Sequence, residues 1–534
     1  MKKLASLFPT QHPWILQHVF MCTVFCAIFT FVNSARNECK PREFPGSSSF
    51  TCVCSATYCD TVDSYEPLSS GTFAVYTSSQ HGDRLAKRTY KISKKSNASD
   101  TTVRYTVNST AQYQKMTGFG GAFTDSAGYN ILNLSKPAQD NLLKSYFHPS
   151  GIEYTFGRVP VASCDFSLRI YSYDDYAKDF SMQKFKLVEE DFQYKIPIIK
   201  RAQAMSKRKI NLIASPWSAP AWMKDNNKMT GGGQLIGPTT GKYYEAYALY
   251  LLKFLDSYAS QNLTFWGLTM LNEPSAGLFF NYSFQSMLFS PENERDFVKF
   301  HLGPMAQNSS YKDVKIIMLD DQRLFLPFWA QKILGDPDAA KYISGIGVHW
   351  YRDTISPIEK LDETHEQFPD QFLLYTESSN GYEAWSVPVM LGDWPRGESY
   401  SEDILWDVNH WVTGWVDWNL ALDEDGGPNW AKNFVDSGII VNAKDDEFYK
   451  QPMFYHIGHF SKFIVPDSIR IDFIAKEMAF QLAPSAAFLL PDGRKAAVIL
   501  NKQTVPMDIT IKDSDSGYLN AQVPAKSIQT YIWN

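Results

Sequence analysis

Two glutamates, Glu273 and Glu377, each follow a short apolar run of the sequence: Glu273 lies in the run 269–274 (TMLNEP), and Glu377 ends the run 373–377 (LLYTE). Hydrolysis of a glycoside requires two carboxyl groups in one pocket, because one protonates the leaving oxygen while the other meets the oxocarbenium-like carbon. The alternative for any single glutamate is a solvated surface charge, and most of the 57 acidic residues fit that description. A glutamate at the end of an apolar strand is held rigidly by its buried neighbours, so this pair is predicted to do chemistry.

The elements that must position the two glutamates form an alternating pattern. From about residue 115, β-branched or aromatic runs alternate with amphipathic helical segments, which is typical of parallel β/α proteins. Strands are predicted at 116–123, 154–161, 209–215, 265–271, 314–319, 345–350, 372–376 and 414–418. Helices are predicted at 137–147, 242–260 and 402–412, where apolar residues recur at spacings of three and four. This pattern favours a (β/α)₈ barrel, in which the C-terminal strand ends face one pocket and bring Glu273 and Glu377 together.

The two ends of the chain have a different pattern. Residues 72–107 and 469–533 consist of short alternating runs separated by Gly, Pro, Asn and Asp, without a long helical segment. Either part alone is small for a β-sandwich, so we predict one β-rich domain assembled from both ends. The sequence contains no internal repeat and no low-complexity tract.

The first 34 residues have the organisation of a secretory signal peptide. Two lysines precede an apolar run at 19–32, and the small residues after it place the expected cleavage after Ser34. A signal anchor is the alternative, but Gln17 and His18 shorten its apolar part. We therefore expect a soluble mature protein that enters the secretory pathway.

Composition excludes several classes of protein. With 44% hydrophobic and 15% aromatic residues, the chain has ample material for a large core, which excludes a disordered or fibrous protein. The net charge is −6, and removal of the two lysines of the signal peptide makes it −8. This acidic balance argues against a nucleic-acid partner, since such binders carry a basic excess.

Seven cysteines fall into three groups. Two leave with the signal peptide, four (Cys39, Cys52, Cys54 and Cys59) lie close to the new N-terminus, and Cys164 stands alone. Two local disulfides and one free thiol are expected in an oxidising compartment, although four cysteines allow three pairings. A zinc site is the alternative, but the single residue between Cys52 and Cys54 is too short a spacing for the usual ligand pair.

Glycosylation is expected because six asparagines begin N-x-S/T sequons. They are Asn97, Asn108, Asn133, Asn262, Asn281 and Asn308. A secreted chain meets the glycosylation machinery, but individual sequons arise by chance, so several rather than all are expected to carry glycans.

Longer motifs give the sequence a recognisable family pattern. Around Glu273 the chain reads NEPSAG at 272–277, and further motifs are GFGGAFTD at 118–125, RVP at 158–160, ASCDFS at 162–167, ASPW at 214–217, LDDQRL at 319–324, VHWY at 348–351, WNLAL at 418–422, GGPNW at 426–430 and YKQPMFYH at 449–456. This set resembles the family 30 glycoside hydrolases over nearly all of the chain that follows the signal peptide. The resemblance implies a (β/α)₈ TIM barrel, an all-β sandwich domain and a small disulfide-stapled N-terminal β-sheet, with retention of anomeric configuration.

The resemblance also assigns roles by position. Glu273 matches the acid/base and Glu377 the nucleophile. The positions that bind glucose are Asp165, Trp217, Asn272, Trp418 and Asn433. Supporting positions are Arg158, His349 and Tyr351.

The chemistry of these side chains suits the implied roles. Sugar hydroxyls suit carboxylate and amide groups, the C–H face of the ring suits indoles, and an arginine keeps a neighbouring carboxylate ionised. Structural alternatives stand beside each role, because buried tryptophans usually belong to a core and a lone histidine is usually a satisfied core residue.

The resemblance further implies disulfides Cys39–Cys52 and Cys54–Cys59, and a division into domains. The expected parts are a signal peptide at 1–34, a small N-terminal β-sheet region at 35–66 completed by about 420–451, a β-sandwich at 67–113 and 468–534, and a catalytic TIM barrel at 114–419 and 452–467. No cofactor and no metal are expected, because no cluster of histidines and acids has ligand spacing in the sequence.

The implied reaction is the hydrolysis of glucosylceramide at a membrane surface, in the lysosome or outside the cell. An activator protein and a lysosomal transport receptor are the further partners that the resemblance implies. Alternatives are a family relative that cleaves a β-xyloside or a β-1,6-glucan, and a catalytically inactive carbohydrate-binding protein. Aromatic residues in the loops 278–284 and 380–385 are expected either to rim a ceramide entrance and contact a membrane, or simply to anchor loops.

Overall fold

The computed structural model describes residues 36–63, 67–475 and 483–534. The expected signal peptide at 1–34, with Cys22 and Cys26, lies outside the described residues. In the part of the chain that is described, helices are too short or too polar to cross a membrane.

The described strands, in chain order, are β1 (Pro41–Arg42), β2 (Thr51–Ser55), β3 (Thr72–Ser79), β4 (Ala86–Lys91), β5 (Val103–Lys115), β6 (Gly118–Ala122), β7 (Phe156–Val161), β8 (Asn211–Pro216), β9 (Gly267–Thr269), β10 (Lys315–Gln322), β11 (Ile343–His349), β12 (Phe372–Glu377), β13 (Val412–Asn419), β14 (Leu422–Asp423), β15 (Ile439–Asn442), β16 (Glu447–Lys450), β17 (Ile469–Ala475), β18 (Ser485–Leu489), β19 (Lys495–Asn501), β20 (Met507–Asp513), β21 (Gly517–Val523) and β22 (Ser527–Trp533).

The described α-helices are α1 (Asp125–Leu132), α2 (Lys136–Phe147), α3 (Ile196–Met205), α4 (Lys242–Ala259), α5 (Pro291–Phe297), α6 (Gly303–Gln307), α7 (Phe328–Leu334), α8 (Pro337–Ala340), α9 (Glu359–Gln367), α10 (Trp394–Asn409) and α11 (Pro452–Ser461). Short 3₁₀ segments lie at Ala221–Met223, Pro274–Leu278, Arg323–Phe325 and Asp353–Ile355, and π segments at Asp191–Lys195 and Val298–Leu302.

Strands β6 to β13 form a closed barrel in which each strand runs parallel to its neighbours. Closure occurs between β13 and β6, where Gly414 pairs with Gly118. The strands fit closely because some contacts leave no room for a side chain: a Cβ on Gly120 would lie 2.1 Å from the carbonyl oxygen of Phe156. The eight strands predicted from the alternating pattern are confirmed, and with them the (β/α)₈ class.

One predicted helix, at 402–412, is wrong in its bounds. Helix α10 starts at Trp394, where the Asp393 side chain accepts a hydrogen bond from the backbone N–H of Arg396 and a proline occupies the first turn. The helix ends at Asn409, and Trp411, with φ of 72°, turns the chain into β13. The spacing of apolar residues alone does not show where helix α10 begins and ends, because its ends are set by a capping side chain and by a residue with left-handed backbone angles.

The chain ends form one nine-stranded sheet, in the order β21-β20-β5-β17-β18-β19-β22-β3-β4. Strands β3, β4 and β5 precede the barrel strands in the sequence, and the other six strands of this sheet follow them. Alternate side chains along these strands bury a core of their own, which includes Phe73, Tyr105, Tyr531 and Trp533. This is the β-sandwich part of the fold.

A five-stranded sheet, in the order β1-β2-β16-β15-β14, joins the N-terminal segment to residues that follow the barrel strand β13. Two disulfides, Cys39–Cys52 and Cys54–Cys59, hold its N-terminal part, in the pairing that the family resemblance implies. Cys164 is a free, buried thiol.

Candidate active site

The barrel brings Glu273 and Glu377 to one end of its axis. Glu377 is the last residue of β12, and Glu273 follows the end of β9 by four residues. A carboxylate oxygen of Glu273, one of Glu377 and a ring nitrogen of His349 lie within 4.8 Å of one another. A separation of about 5–5.5 Å is typical of glycosidases that retain configuration, whereas inverting enzymes leave room for a water between the carboxyl groups.

Glu377 is buried among donors. Its Oε1 accepts a hydrogen bond of 2.7 Å from the hydroxyl of Tyr351, and its Oε2 accepts one from the Arg158 guanidinium. Burial raises the pKa of Glu377 above its ordinary value, and the positive charges of Arg158 and His349 oppose that rise. The ionised form of Glu377 therefore depends on these two cations.

Glu273 has a different environment, with a more exposed side chain and a strained backbone. Its φ of 41° and ψ of 61° are left-handed, a conformation that non-glycine residues seldom adopt outside functional sites. Oε1 accepts hydrogen bonds from Gln322 Nε2 at 2.9 Å and from His349 Nδ1 at 3.2 Å. Tyr282 contacts the other oxygen, Oε2, at 3.5 Å. Since both close donors use Oε1, Oε2 is left to carry a proton towards a substrate.

His349 is held as a cation between two acids. Its Nδ1 faces Glu273 and its Nε2 lies 3.0 Å from Asp320 Oδ1. Burial alone would lower the pKa of His349, but the charge of Glu377 and the bonds to Asp320 and Glu273 raise it to about 10. Both ring nitrogens then donate hydrogen bonds, so the grouping with the two glutamates offers no imidazole lone pair to a metal ion. The residues fit proton transfer better than metal binding.

The residues predicted to bind glucose join the same network. Asp165 accepts hydrogen bonds from Asn433 Nδ2 at 3.0 Å and from Asn429 Nδ2 at 3.1 Å, and burial raises its pKa to about 7. Asn272 accepts a bond of 2.7 Å from the Arg158 guanidinium. The amide of Asn272 is thereby fixed beside the nucleophile candidate Glu377.

Trp217 and Trp418 pack on each other and beside Arg158. Their rings stack with centroids 5.2 Å apart, and the guanidinium lies 4.9 and 5.3 Å from those centroids. Both indoles are almost fully buried, so much of their surface is already used within the protein. Their contact with a sugar therefore stays a prediction.

Sequence reasoning missed four polar residues of this site. They are Asp320, Asp321, Gln322 and Asn429. The first three end strand β10, and a polar run at the C-terminal end of a barrel strand is the same signal that identified the two glutamates. Asn429 lies in a loop, where no spacing indicates its contact with Asp165.

A parallel barrel with a carboxylate pair at its C-terminal strand ends has the arrangement that glycoside hydrolysis requires, and the chain belongs to glycosyl hydrolase family 30. The family's TIM-barrel domain matches residues 116–464 and its beta sandwich domain matches 467–531. Among curated relatives, the chain is 48% identical over 496 residues to lysosomal acid glucosylceramidase of Mus musculus, covering 93% of this chain and 95% of that one.

Solved structures of relatives have the same fold. SrfJ from Salmonella typhimurium superposes with a TM-score of 0.78 at 27% identity, over 87% of this chain and 99% of its own. The endo-beta1,6-glucanase BT3312 superposes with a TM-score of 0.76 at 28% identity, over 86% of this chain and 99% of its own.

Proposed function

We propose that this glycoside hydrolase is a retaining β-glucosidase that converts glucosylceramide to glucose and ceramide by double displacement. The observation that carries the chemistry is the carboxylate pair Glu273 and Glu377, with oxygens within 4.8 Å and unequal partners. The substrate is inferred from the mouse relative, which is 48% identical over 93% of this chain, against 28% for the β-1,6-glucanase BT3312.

In the first displacement, Glu377 attacks the anomeric carbon while Glu273 protonates the departing ceramide oxygen from Oε2. Arg158 and Tyr351 hold the Glu377 carboxylate, one donor on each oxygen. In the second displacement, the ionised Glu273 takes a proton from water, which attacks the glucosyl-enzyme. His349 and Gln322 hold Oε1 of Glu273 through both steps.

Asp165, Trp217, Asn272, Trp418 and Asn433 are proposed to form the glucose subsite. The carboxylate of Asp165 is buried and bonded to two amides, so its orientation is set before a sugar arrives. Asn272 shares Arg158 with Glu377, which supports a role for its side-chain amide in binding the sugar close to the proposed nucleophile. We propose that this site needs no cofactor.

The mouth of the barrel supports the proposal of a membrane-bound substrate. Loops after β9 and β12 expose large apolar side chains, and Phe280 and Trp385 are 84% and 82% exposed. The other large apolar residues exposed on these and the two intervening loops are Leu278, Phe279, Leu324, Phe328, Ile355 and Val387. Lipid contact explains an apolar rim on four neighbouring loops better than chance exposure does.

The proposed location is the lysosomal lumen, at the membrane, reached through the secretory pathway, with the extracellular space as the alternative. Two disulfides support an oxidising route, and the asparagines of all six sequons are exposed. An activator protein and a transport receptor remain proposed partners by analogy with the lysosomal relative. The domain division set out above is likewise proposed.

A substrate panel tests the function. Purified protein should release glucose from glucosylceramide in mixed micelles faster than it releases sugars from galactosylceramide, a β-xyloside or a β-1,6-glucan. Glu273→Gln and Glu377→Gln serve as controls for contaminating hydrolases. A preference for the glucan would favour the glycanase alternative, and inactivity on all substrates would favour a carbohydrate-binding protein.

A further inference from the structure

Strand β10 ends in an unusual backbone conformation. Leu319 and Asp320 have φ values of 68° and 53°, and the register with β11 shifts between Leu319 and Asp321. A residue other than glycine that adopts left-handed backbone angles destabilises the fold by about 1–3 kcal/mol. Two such residues in succession therefore need compensating interactions from the surrounding structure. Such bulges re-aim a side chain next to active sites. Here the consequence is a carboxylate at position 320 that is fully buried.

The Asp320 carboxylate contacts both cations of the site. Oδ2 accepts a hydrogen bond of 2.8 Å from Arg158 Nη2, and Oδ1 accepts one of 3.0 Å from His349 Nε2. The hydroxyl of Thr376 also donates to Oδ1, at 2.6 Å. Two cations and a hydroxyl therefore meet on a single acid.

Each of these cations holds one catalytic carboxylate. Arg158 donates to Glu377, and His349 donates to Glu273. Asp320 is thus linked to each glutamate side chain through one intervening side chain, and in the described part of the chain no other acid is hydrogen-bonded to both Arg158 and His349.

We infer that Asp320 is a positioning residue that fixes Arg158 and His349, keeps His349 charged and so holds Glu273 and Glu377 in unequal roles. The inference deepens the proposed function and rests on the roles assigned there to the two glutamates. The Asp320 carboxylate acts on the two glutamates through the two cations, and its backbone carbonyl, which no side-chain substitution removes, accepts a hydrogen bond of 2.9 Å from the backbone N–H of Glu273.

Electrostatics support this role. Burial alone would raise the pKa of Asp320, but Arg158 and His349 hold it well below its ordinary value, so Asp320 stays ionised. An ionised Asp320 in turn stabilises imidazolium at position 349. The charged and titratable groups that face His349 are Glu273 from the loop after β9, Asp320 and Asp321 from β10, Tyr351 from the loop after β11 and Glu377 from β12, while Arg158 from β7 shares Asp320 with it.

The decisive variant is Asp320→Asn, with Asp513→Asn as the matched control. Asp513 is likewise a buried acid with an ion pair, but its partner is Lys495 in the β-sandwich part. The first measurement is the titration of His349 by NMR of ¹⁵N-histidine-labelled protein, with the signal assigned by its absence in His349→Gln.

In wild type and in Asp513→Asn, His349 should stay protonated throughout pH 4–8. In Asp320→Asn the pKa of His349 should fall, so that loss of its proton begins within that range, because only Glu377 and Glu273 then oppose the effect of burial. With an aryl β-glucoside, kcat should fall by about 100-fold while KM changes little, since a misplacement of about 1 Å costs that much. The pH values at which kcat/KM rises and falls should also shift, which a purely structural defect would not cause.

Asp320→Glu covers the case in which Asp320→Asn does not fold. The longer acid keeps the charge and should keep His349 protonated, but it displaces both cations and should lower kcat. Wild-type kcat in either variant, or an unchanged His349 titration in folded Asp320→Asn, would overturn the inference. The titration needs no substrate, so it is read separately from the proposed function, which fails instead if Glu377→Gln keeps wild-type activity.

Discussion

The hydroxyl of Tyr351 donates a hydrogen bond of 2.7 Å to Oε1 of Glu377, while Arg158 binds the other oxygen of the same carboxylate. A carboxylate held at both oxygens has one orientation and little freedom to rotate. Burial raises its pKa, so Glu377 needs these donors to remain a nucleophile. The arrangement leads to a direct chemical test.

Glu377 is expected to form the covalent glucosyl-enzyme. An activated 2-fluoroglucoside should label the protein once, at Glu377, because the fluorine slows breakdown of the intermediate more than its formation. Peptide mass spectrometry of the inactivated protein identifies the labelled residue. Label on another residue, or an inverted product anomer by proton NMR, would refute the assignment.

Glu273→Gln is expected to separate substrates by leaving group. The first step needs the proton of Glu273 when the leaving group is a poor one such as ceramide, and much less for an activated aryl group. Loss of general acid catalysis is worth about 10²–10⁴-fold in rate. Pre-steady-state release of the aryl group measures that step alone, before deglucosylation. Equal losses for both classes of substrate would contradict the role of Glu273.

The sequence predicted the barrel and the glutamate pair because both depend on simple periodic signals. Apolar runs at regular spacing mark barrel strands, and a polar residue at the end of such a run lies at the pocket. The same logic marks the polar run 320–322 at the end of β10 but does not single out Asp320, since nothing in the sequence predicts that two residues in succession adopt left-handed φ there. Ion pairs between residues that lie far apart in the sequence leave no periodic pattern by which they could be predicted.

Three clustered acids, the buried Asp407 and the half-buried Asp353 and Asp403, illustrate a second limit of sequence reading. In the sequence they look like ordinary surface charges, yet an oxygen of each lies within 4.8 Å of the others. One guanidinium, Arg323, binds Asp353 at 2.9 Å and lies 3.5 Å from Asp407. One positive charge does not balance three carboxylates this close together, so the group holds protons near neutral pH.

This acidic group should make the protein more stable in acid than at neutral pH. Burial raises the pKa of Asp403 to about 6 and those of Asp353 and Asp407 well above the ordinary value. A raised carboxyl pKa contributes destabilisation that is absent below about pH 4, grows by about 1.4 kcal/mol per pH unit for each titrating group until the pH reaches its folded-state pKa, and then levels off. The melting temperature should therefore fall between pH 5 and 7.5.

Asp407→Asn tests the origin of that fall. Removing one buried charge should raise the melting temperature at pH 7.5 by a few degrees and flatten its dependence on pH. Asp370→Asn, which changes an exposed acid of the same part of the barrel, should leave the dependence as in wild type. If both variants follow the wild-type curve in differential scanning calorimetry, the three acids are not the source.

The last prediction concerns the exposed apolar rim and lipid. Phe280→Ser and Trp385→Ser should each lower glucosylceramide hydrolysis in vesicles by about tenfold or more and leave hydrolysis of a soluble aryl glucoside unchanged, since each burial of a large apolar side chain is worth about 1.5–3 kcal/mol. Val505→Ser removes a side chain that is exposed in the β-sandwich part instead, and should change neither activity.

Anionic lipid should increase the wild-type rate mainly at acidic pH. The chain has 57 acidic residues against 51 lysines and arginines, so at neutral pH an anionic surface repels it. Protonation of carboxyl groups with a raised pKa, such as Asp165 at about 7 and Asp403 at about 6, reduces that repulsion as the pH falls, and the rim can then reach the headgroups. Vesicles with and without anionic lipid, assayed from pH 4.5 to 7.5, measure the effect. Two results together would contradict this role of the rim: a rate that does not depend on anionic lipid at any pH, and Phe280→Ser and Trp385→Ser variants as active as Val505→Ser. The rim residues would then only anchor loops, and the lipid substrate would reach the two glutamates by another route.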